Sequence, residues 1–262
     1  MVFGVILAGG VGSRMGNVEK PKQFLKIGGK PILIHTVEKF LMHDSFQELI
    51  VLTPTEWIEH TKNLLKKYLG EAGSTVKVLK GGSTRNETIM NSIAYIEEKY
   101  GLDDDTLIVT HDSVRPFLTY RIIEENIKYG LQYGACDTVI PATDTIVHSE
   151  DGKVITSVPD RSKMYQGQTP QTFGAKKLKE LYQSLTEEEK EILTDASKIF
   201  VIKGEQVYLV EGEVYNTKIT YPYDLRVAES LLNDQKKKGV AVICVGEDLD
   251  VLLELCDKIL VL

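Results

Sequence analysis

Short apolar segments alternate with amphipathic helical patterns through the first half of the chain. Apolar runs at residues 2–7, 49–53 and 106–110 are each followed by turn residues, and short continuous runs of this kind are typical of buried parallel strands. The intervening segments repeat apolar positions every three or four residues, which predicts helices at about 31–41, 55–68, 84–99 and 119–133. The alternation predicts an α/β fold, with a Rossmann-like, mostly parallel sheet and helices on both faces.

The pattern changes after a further predicted strand at 135–142. Residues 143–172 contain short β-like pieces around Asp151-Gly152, a dipeptide typical of a hairpin turn. An arm that projects in this way needs a cover, and a second subunit is the simplest one. Beyond the arm, the pattern predicts a strand at 206–211 and helices at 174–184, about 195–203 and 222–237.

The C-terminal segment is set apart from the rest of the chain. One domain is expected over residues 1–235, followed by a strand-helix-strand extension at 236–262. The extension resembles a segment found late in the ATPase subunits of sugar-type transporters, but the chain contains no G-x-x-x-x-G-K-[ST] motif to bind ATP. No catalytic role is assigned to it.

Composition restricts the class of protein. Charged residues make up 26% and hydrophobic residues 42% of the chain, as in an ordinary globular protein. The net charge of −7 disfavours a nucleic-acid partner, so an anionic ligand must be held by a local group of basic side chains. The three cysteines lack metal-site or redox spacing, and the N-terminal apolar run is too short for a signal peptide or membrane span. We therefore expect a cytoplasmic protein with no membrane partner.

A glycine-rich loop at residues 9–16 follows the first predicted strand. Its third spaced glycine is one position too late for the dinucleotide fingerprint G-x-G-x-x-G, and the second strand ends without the acidic residue that binds ribose. Arg14 and Lys22 instead add two cations, which suits a triphosphate better than a pyrophosphate held by backbone N–H groups. The alternative is a tight connection with Arg14 in a surface salt bridge.

These residues carry a family resemblance. The loop L-A-G-G-V-G-S-R-M-G followed by P-K-Q-F resembles the signature of the sugar-nucleotide pyrophosphorylases, and among them the small cytidylyltransferases that act on polyol phosphates. The likeness continues to about residue 232, through matching segments in the family's order: GGSTRNETI (81–89), HDSVRP (111–116), DT (144–145), DR (160–161), QTPQTF (168–173), TDAS (194–197) and NTKIT (216–220). It implies a fold of the nucleotide-diphospho-sugar transferase type, with the 143–172 arm exchanged across a homodimer.

The resemblance also implies a reaction. A phosphate oxygen of the acceptor attacks the α-phosphorus of CTP and pyrophosphate leaves, which requires positioning and charge neutralisation rather than a protein nucleophile. Arg14 and Lys22 are implied to bind the β- and γ-phosphates, and Lys218 to neutralise the α-phosphate. The residues implied to bind CTP are Leu7, Ala8, Gly9, Gly10, Gly12, Gly82, Ser83, Arg85, Thr88, Asp112 and Ser113.

Asp112 is the predicted ligand of a divalent cation. It follows the third strand at the carboxyl edge of the sheet, where ligand sites of α/β proteins form. A carboxylate beside a triphosphate is costly unless Mg²⁺ lies between them; the alternatives are a helix N-cap or a salt bridge with Arg115. His111 is interpreted as structural, because the acceptor phosphate is already ionised and needs no general base.

The acceptor phosphate is the expected ligand of a second group of residues. The resemblance implies Arg115, Thr145, Arg161 and Thr169, the last three reaching a partner's site from the arm. Without the resemblance, Arg161 beside Asp160 would indicate a charge pair that stabilises a turn.

Two branches of the family share these motifs, one acting on 2-C-methyl-D-erythritol 4-phosphate and the other on D-ribitol 5-phosphate. The segments VEKPKQFL, HDSVRPFLTYRIIEEN, PATDTIVHS, MYQGQTPQTF and ILTDASKIF resemble the ribitol branch more closely. Where the methylerythritol branch often has an aspartate this chain has Ser83, which weakens a side-chain role at that position without bearing on the choice of branch. The sequence therefore favours a cytidylyltransferase that makes CDP-ribitol for teichoic-acid-type polymers. The other hypotheses are the methylerythritol enzyme, a dehydrogenase and a nucleotide sensor without turnover.

Overall fold

The computed structural model describes residues 1–10 and 20–237 of the 262-residue chain. Its strands are β1 (Val2–Leu7), β2 (Lys26–Ile27), β3 (Lys30–Pro31), β4 (Glu48–Thr53), β5 (Lys77–Lys80), β6 (Leu107–Asp112), β7 (Ala135–Pro141), β8 (Tyr165–Gly174) and β9 (Tyr208–Glu211). Its helices are α1 (Ile32–Leu41), α2 (Ile58–Thr75), α3 (Arg85–Tyr100), α4 (Tyr120–Tyr133), α5 (Ala175–Gln183), α6 (Glu187–Glu191), α7 (Ser197–Ile202) and α8 (Pro222–Lys237).

A mostly parallel sheet forms the centre of the molecule. Seven strands lie in the order β5-β4-β1-β6-β8-β7-β9, and β8 is the one that runs antiparallel to its neighbours. Strands β2 and β3 pair separately as a small hairpin. The carboxyl ends of β1 and β6 meet at one edge, with Leu7 opposite Asp112. This edge is where a ligand site of an α/β fold is expected.

Helices cover both faces of the sheet, as the hydrophobic pattern predicts. Successive residues of a strand point to opposite faces, so Ile6 packs with the apolar side chains of α1, α2 and α4. Val5 packs with those of α3, α5 and α7 on the other face. Side chains of β4 and α1 pack so closely over Gly4 of β1 that a Cβ there would be 2.4 Å from Leu49 Cδ2 and 3.0 Å from Phe40 Cδ1. The fold class is the predicted α/β class.

The projecting arm is shorter than the sequence predicts. Residues 165–172 were expected to be part of it, but they belong to β8, in the middle of the main sheet. The turn at Asp151-Gly152 lies within the remaining arm, bracketed by a bridge between His148 and Ser157. Sequence alone could not separate β8 from the arm because both are rich in polar residues, and only pairing with β6 and β7 distinguishes β8.

Three further points concern elements that were not predicted, the C-terminal segment and the lengths of the helices. Strand β5 and helix α6 were not predicted from the sequence; β5 is four residues long and α6 five. The expected extension at 236–262 lies outside the described residues from position 238 onward. Within the part of the chain that the structure describes, every helix is too short or too polar to cross a membrane.

Candidate active site

A cavity of about 440 Å³ opens at the carboxyl ends of β1 and β6. Several segments far apart in the sequence meet in its wall. The lining residues are Leu7, Gly9, Gly10, Lys22, Gln23, Gly82, Ser83, Thr84, Arg85, Thr88, Asp112, Ser113, Val114, Lys218 and Thr220. Most of the positions implied to bind CTP are therefore brought together, along with two of the three predicted catalytic cations. The third, Arg14, and the predicted Gly12 lie outside the described residues.

Asp112 is surrounded by three basic side chains. Its Oδ1 accepts a hydrogen bond from Arg85 Nη1, and its Oδ2 lies 3.3 Å from Arg115 Nε and 3.1 Å from Lys218 Nζ. Burial by itself would raise the pKa of the Asp112 carboxyl. The three positive charges outweigh burial and hold that pKa well below its usual range. The group is therefore an anion that fixes cations around itself at the cavity wall.

Asp112 is the one carboxylate among the described residues that line the cavity, and it would be the protein's ligand for a divalent cation there. Over residues 1–10 and 20–237, the structure has no cluster of three or more His, Cys, Asp or Glu side chains arranged to hold a metal ion. Magnesium is commonly held by one or two carboxylates together with waters and substrate phosphates, so Asp112 and a nucleotide phosphate form a fitting set of donors. The three basic side chains use one lone-pair site on Oδ1 and two on Oδ2, so a cation here would have to share Oδ1 with Arg85 or displace one of the three contacts.

His111 and Thr169 support Asp112 from inside the sheet. The Asp112 N–H donates to Thr169 Oγ1 at 3.1 Å, and this hydroxyl lies 2.8 Å from His111 Nδ1. His111 Nε2 lies 3.2 Å from the carbonyl oxygen of Arg115. A carbonyl can only accept, so Nε2 carries the proton and Nδ1 accepts from Thr169. Burial lowers the pKa of His111 to about 3, which keeps the ring neutral and supports a structural role.

Thr169 consequently differs from what the sequence predicts. It was expected to reach a partner's site from the arm, but it lies in β8, is 3% exposed, and uses its hydroxyl on residues of its own subunit. The reason is that the strand bearing it pairs with β6, which places Thr169 beside the end of that strand.

Lys22 and Gln23 lie in a short 3₁₀ turn, Lys22–Phe24, that closes the glycine loop. Lys22 Nζ donates to the carbonyl oxygen of Ile219 at 3.1 Å, and Gln23 Nε2 donates to that of Ala8 at 2.7 Å. Lys22 is thereby tied to the segment that carries Lys218. Both cations face the same cavity.

The loop before α3 is shaped by the first turn of that helix. A Cβ at Gly82 would be 2.4 Å from Glu87 Cβ, so a larger residue cannot fit. The Gly82 N–H donates to Thr88 Oγ1 at 2.9 Å, and this hydroxyl donates to Thr84 O at 2.8 Å. Ser83 donates its N–H to Glu87 Oε2 at 2.8 Å. Thr88 and Glu87 therefore fix the backbone that forms this wall.

Four other predicted residues do not line the cavity. Ala8 is buried, with its N–H bonded to Leu52 O. Arg115 lies behind Asp112 and donates to Asn216 O at 2.8 Å. Thr145 and Arg161 are exposed on the arm, where Arg161 donates to Thr143 O at 2.8 Å. Within one subunit, the arm residues are not assembled with the cavity.

Sequence reasoning missed several residues that contact the site or its walls. Gln23 and Thr220 line the cavity, and Gln171 contacts Arg85. Each lies inside a motif that the sequence analysis quotes. The motif spacing does not indicate which members face the cavity, because that depends on how the strands pair.

The chain was compared with known families and structures. The family model described as IspD, 2-C-methyl-D-erythritol 4-phosphate cytidylyltransferase, matches residues 2–234. A 4-diphosphocytidyl-2C-methyl-D-erythritol synthase from Anaerococcus prevotii is 25% identical with a TM-score of 0.71, over 88% of this chain and 96% of that one. The 2-C-methyl-D-erythritol 4-phosphate cytidylyltransferase of Thermus thermophilus is 27% identical with a TM-score of 0.67, over 87% and 98%.

The matches agree with the site. The family model matches most of the chain, and membership of this family accounts for both the mostly parallel sheet and the basic side chains that line the cavity at its carboxyl edge. CTP and a phosphorylated sugar alcohol are the substrates that fit this family. The chain belongs to the IspD family of CTP-dependent cytidylyltransferases.

Proposed function

We propose that the protein transfers the cytidylyl group of CTP to D-ribitol 5-phosphate. A phosphate oxygen of the acceptor forms a bond to the α-phosphorus of CTP, the bond from that phosphorus to the bridging oxygen of the β-phosphate breaks, and pyrophosphate leaves. The products are CDP-ribitol and pyrophosphate. CDP-ribitol then serves as the ribitol phosphate donor for teichoic-acid-type surface polymers.

The observation that carries the proposal is the arrangement of Lys22, Lys218 and Arg85 around one cavity with Asp112. The reaction transfers a cytidylyl group through attack at phosphorus and releases strongly anionic pyrophosphate, so fixed cations supply most of the stabilisation of the transition state. Lys22 binds the leaving pyrophosphate together with Arg14, and Lys218 neutralises the α-phosphate. Gly82 and Ser83 border the base, and Arg85 holds Asp112 in place.

A divalent cation is part of the proposal. Asp112 holds it with the nucleotide phosphates, and it supplies charge neutralisation at the reacting phosphate. The three basic side chains around Asp112 keep this carboxylate ionised at physiological pH, as a metal ligand must be, and the cation would share the carboxylate with them.

The identity of the acceptor rests on the sequence. Five segments, including those that carry His111 to Asp112 and Gln168 to Phe173, resemble the ribitol branch. The second candidate is 2-C-methyl-D-erythritol 4-phosphate. It is favoured because the matching family model and both solved structures are described as enzymes of methylerythritol phosphate. Those structures share about a quarter of their residues with this chain, at 25% and 27% identity.

Pyrophosphate release separates the two candidates. The purified protein is incubated with CTP, Mg²⁺ and either D-ribitol 5-phosphate or 2-C-methyl-D-erythritol 4-phosphate, and the nucleotide product is identified by mass. We expect kcat/KM to be at least about 100-fold higher with ribitol 5-phosphate. A preference for the methylerythritol substrate contradicts the acceptor alone, and no release with either substrate contradicts the transferase proposal.

A homodimer that exchanges arms is the proposed assembly. The arm exposes apolar side chains: Val147, Val154, Ile155 and Val158 are between 49% and 63% accessible. A second copy of the chain would cover them and would bring Thr145 and Arg161 of one subunit to the cavity of the other.

Mixing two inactive variants tests this assembly. Arg161→Ala damages the arm and Lys218→Met damages the cavity, so a mixed dimer contains one intact site and should regain about a quarter of wild-type activity. The control mixture, Lys22→Met with Lys218→Met, has both defects in the cavity and should stay inactive. Recovery in both mixtures, or in neither, rules out arm exchange.

A further inference from the structure

Gln171 lies between Arg85 and two aspartates, the buried Asp137 of β7 and the partly buried Asp195. Its side chain is 2% exposed, and it stands opposite Asp137 in the pairing of β8 with β7. The Nε2 atom lies 2.9 Å from Asp137 Oδ2, 2.9 Å from Asp195 Oδ2 and 3.0 Å from Ser197 Oγ. The Oε1 atom accepts from Arg85 Nη2 at 3.4 Å.

The chemistry of these neighbours fixes the orientation of the amide. Carboxylate oxygens can only accept, so the end of Gln171 that faces Asp137 and Asp195 must be the NH₂ group. The carbonyl oxygen is then turned toward the guanidinium of Arg85. Ser197 strengthens the arrangement, because its hydroxyl donates to Asp137 Oδ2 at 2.8 Å.

Arg85 has few other anchors. Among the residues that the structure describes, its hydrogen-bond partners are Asp112 and Gln171. Two acidic side chains lie just beyond Gln171, and an arginine is attracted to them as well as to Asp112. Gln171 offers its carbonyl oxygen to Arg85 and donates from its NH₂ group to Asp137 and Asp195. It can therefore decide which carboxylate the arginine contacts.

We propose that Gln171 is a positioning residue that holds Arg85 on Asp112 and keeps it away from Asp137 and Asp195. It does not touch the substrate, so its effect on the reaction is exerted through Arg85. The inference rests on the roles proposed for Arg85 and Asp112 in CTP binding. It extends the site inward through β8 to residues that do not line the cavity.

The test is a double-mutant cycle between the two residues. Gln171→Met removes both hydrogen-bonding groups at similar volume, and Arg85→Met removes the guanidinium. We expect each single variant to lower kcat/KM for CTP about tenfold or more, and the double variant to be no worse than Arg85→Met within about twofold. Losses that multiply in the double variant overturn the proposal, because Gln171 would then act without Arg85.

A matched control separates positioning from general damage to the sheet. Thr172 is the next residue of β8, is fully buried, and donates to Asn126 Oδ1 at 3.2 Å on the other face. Thr172→Val should lower the melting temperature while kcat/KM stays within about twofold of wild type. If Thr172→Val lowers kcat/KM as much as Gln171→Met does, the proposal is wrong.

The cycle is also measured as CTP affinity by calorimetry, which does not need an acceptor. If the wild-type protein turns over neither acceptor, the proposed function fails while the affinities still test the coupling of Gln171 to Arg85. Should Gln171→Met fail to fold, Gln171→Asn takes its place in the cycle, because it keeps the amide and shortens its reach. Equal CTP affinity in wild type and in a folded Gln171 variant overturns the inference.

Discussion

Asp112 and Asp137 are two buried aspartates on strands that flank β8, and they differ in what surrounds them. They are 6% and 8% exposed. Asp112 contacts three basic side chains, and its pKa is held well below the usual range. Burial raises the pKa of Asp137 to about 6, since its hydrogen-bond donors, Gln171 and Ser197, are uncharged.

In these two aspartates the partners of the carboxyl, rather than its burial, decide whether it is charged. Asp112 is an anion throughout the neutral range, which suits the role proposed for it, that of organising three basic side chains at the cavity wall. Asp137 is close to its titration point just below neutral pH, and its Oδ1 has no hydrogen-bond partner among the described residues. Its contacts support the sheet and hold Gln171.

Asp112→Asn should produce the largest change in stability. It removes the anion from among Arg85, Arg115 and Lys218 and leaves their charges to repel one another, at a cost of about 3 kcal/mol or more. Urea unfolding at pH 7 measures this free energy. Asp160→Asn, at an exposed ion pair of the arm, is the control and should leave the unfolding midpoint unchanged. A midpoint of Asp112→Asn equal to that of wild type would show that the three contacts contribute no net stability.

Lys218→Met tests the catalytic side of the same cluster. Losing the cation that is proposed to neutralise the reacting phosphate should lower kcat by about 100-fold, equivalent to about 2.7 kcal/mol of transition-state stabilisation. We expect Lys22→Met to lower kcat by a similar factor. Pyrophosphate release at saturating CTP is the measurement, and Lys176→Met, which breaks an exposed pair with Asp104, is the control. Turnover near that of wild type would exclude the affected lysine from the catalytic set.

Asp137→Asn should change how the free energy of unfolding depends on pH. The folded protein holds the Asp137 proton up to about pH 6, whereas an unfolded aspartate releases it near 3.8. The raised pKa therefore stabilises the wild-type protein by up to about 3 kcal/mol below about pH 4. This stabilisation is lost as the pH rises to about 6. The asparagine of the variant does not titrate, so the free energy of unfolding of the variant minus that of wild type should rise from pH 4 to pH 7. A difference that does not depend on pH contradicts the raised pKa.

Ser197→Ala is the smallest expected change. It removes a donor that lowers the pKa of Asp137. The pKa of Asp137 in the folded variant should therefore rise, and the free energy of unfolding should continue to fall up to a higher pH than in wild type. Losing one hydrogen bond should also cost about 1 kcal/mol near neutral pH. The same urea titration detects both effects, and an unshifted pH dependence would mean that Ser197 does not stabilise the carboxylate.

Much of the fold and part of the site could be predicted from the sequence. The apolar runs that became β1, β4 and β6 are short and continuous, a pattern typical of strands buried on both faces. The motifs around Lys22, Gly82 and Asp112 follow the ends of strands, so they meet at one edge of any parallel sheet. Strand β8 was misplaced in the arm because its polar residues, Gln168 to Thr172, give no apolar pattern and are buried by pairing alone.

By itself, the sequence determined the alternation of strands and helices, the family, and the residue types at the edge of the sheet where the cavity lies. These follow from local periodicity and motif spacing, which depend on neighbours along the chain. The tertiary structure decided that Arg85, Arg115 and Lys218 share one carboxylate, that Thr169 supports its own subunit's site, and that Gln171 separates Arg85 from Asp137. The ion pairs of that carboxylate join residues 3 to 106 positions apart, and their charges and hydrogen bonds depend on distances that exist only after the strands have paired.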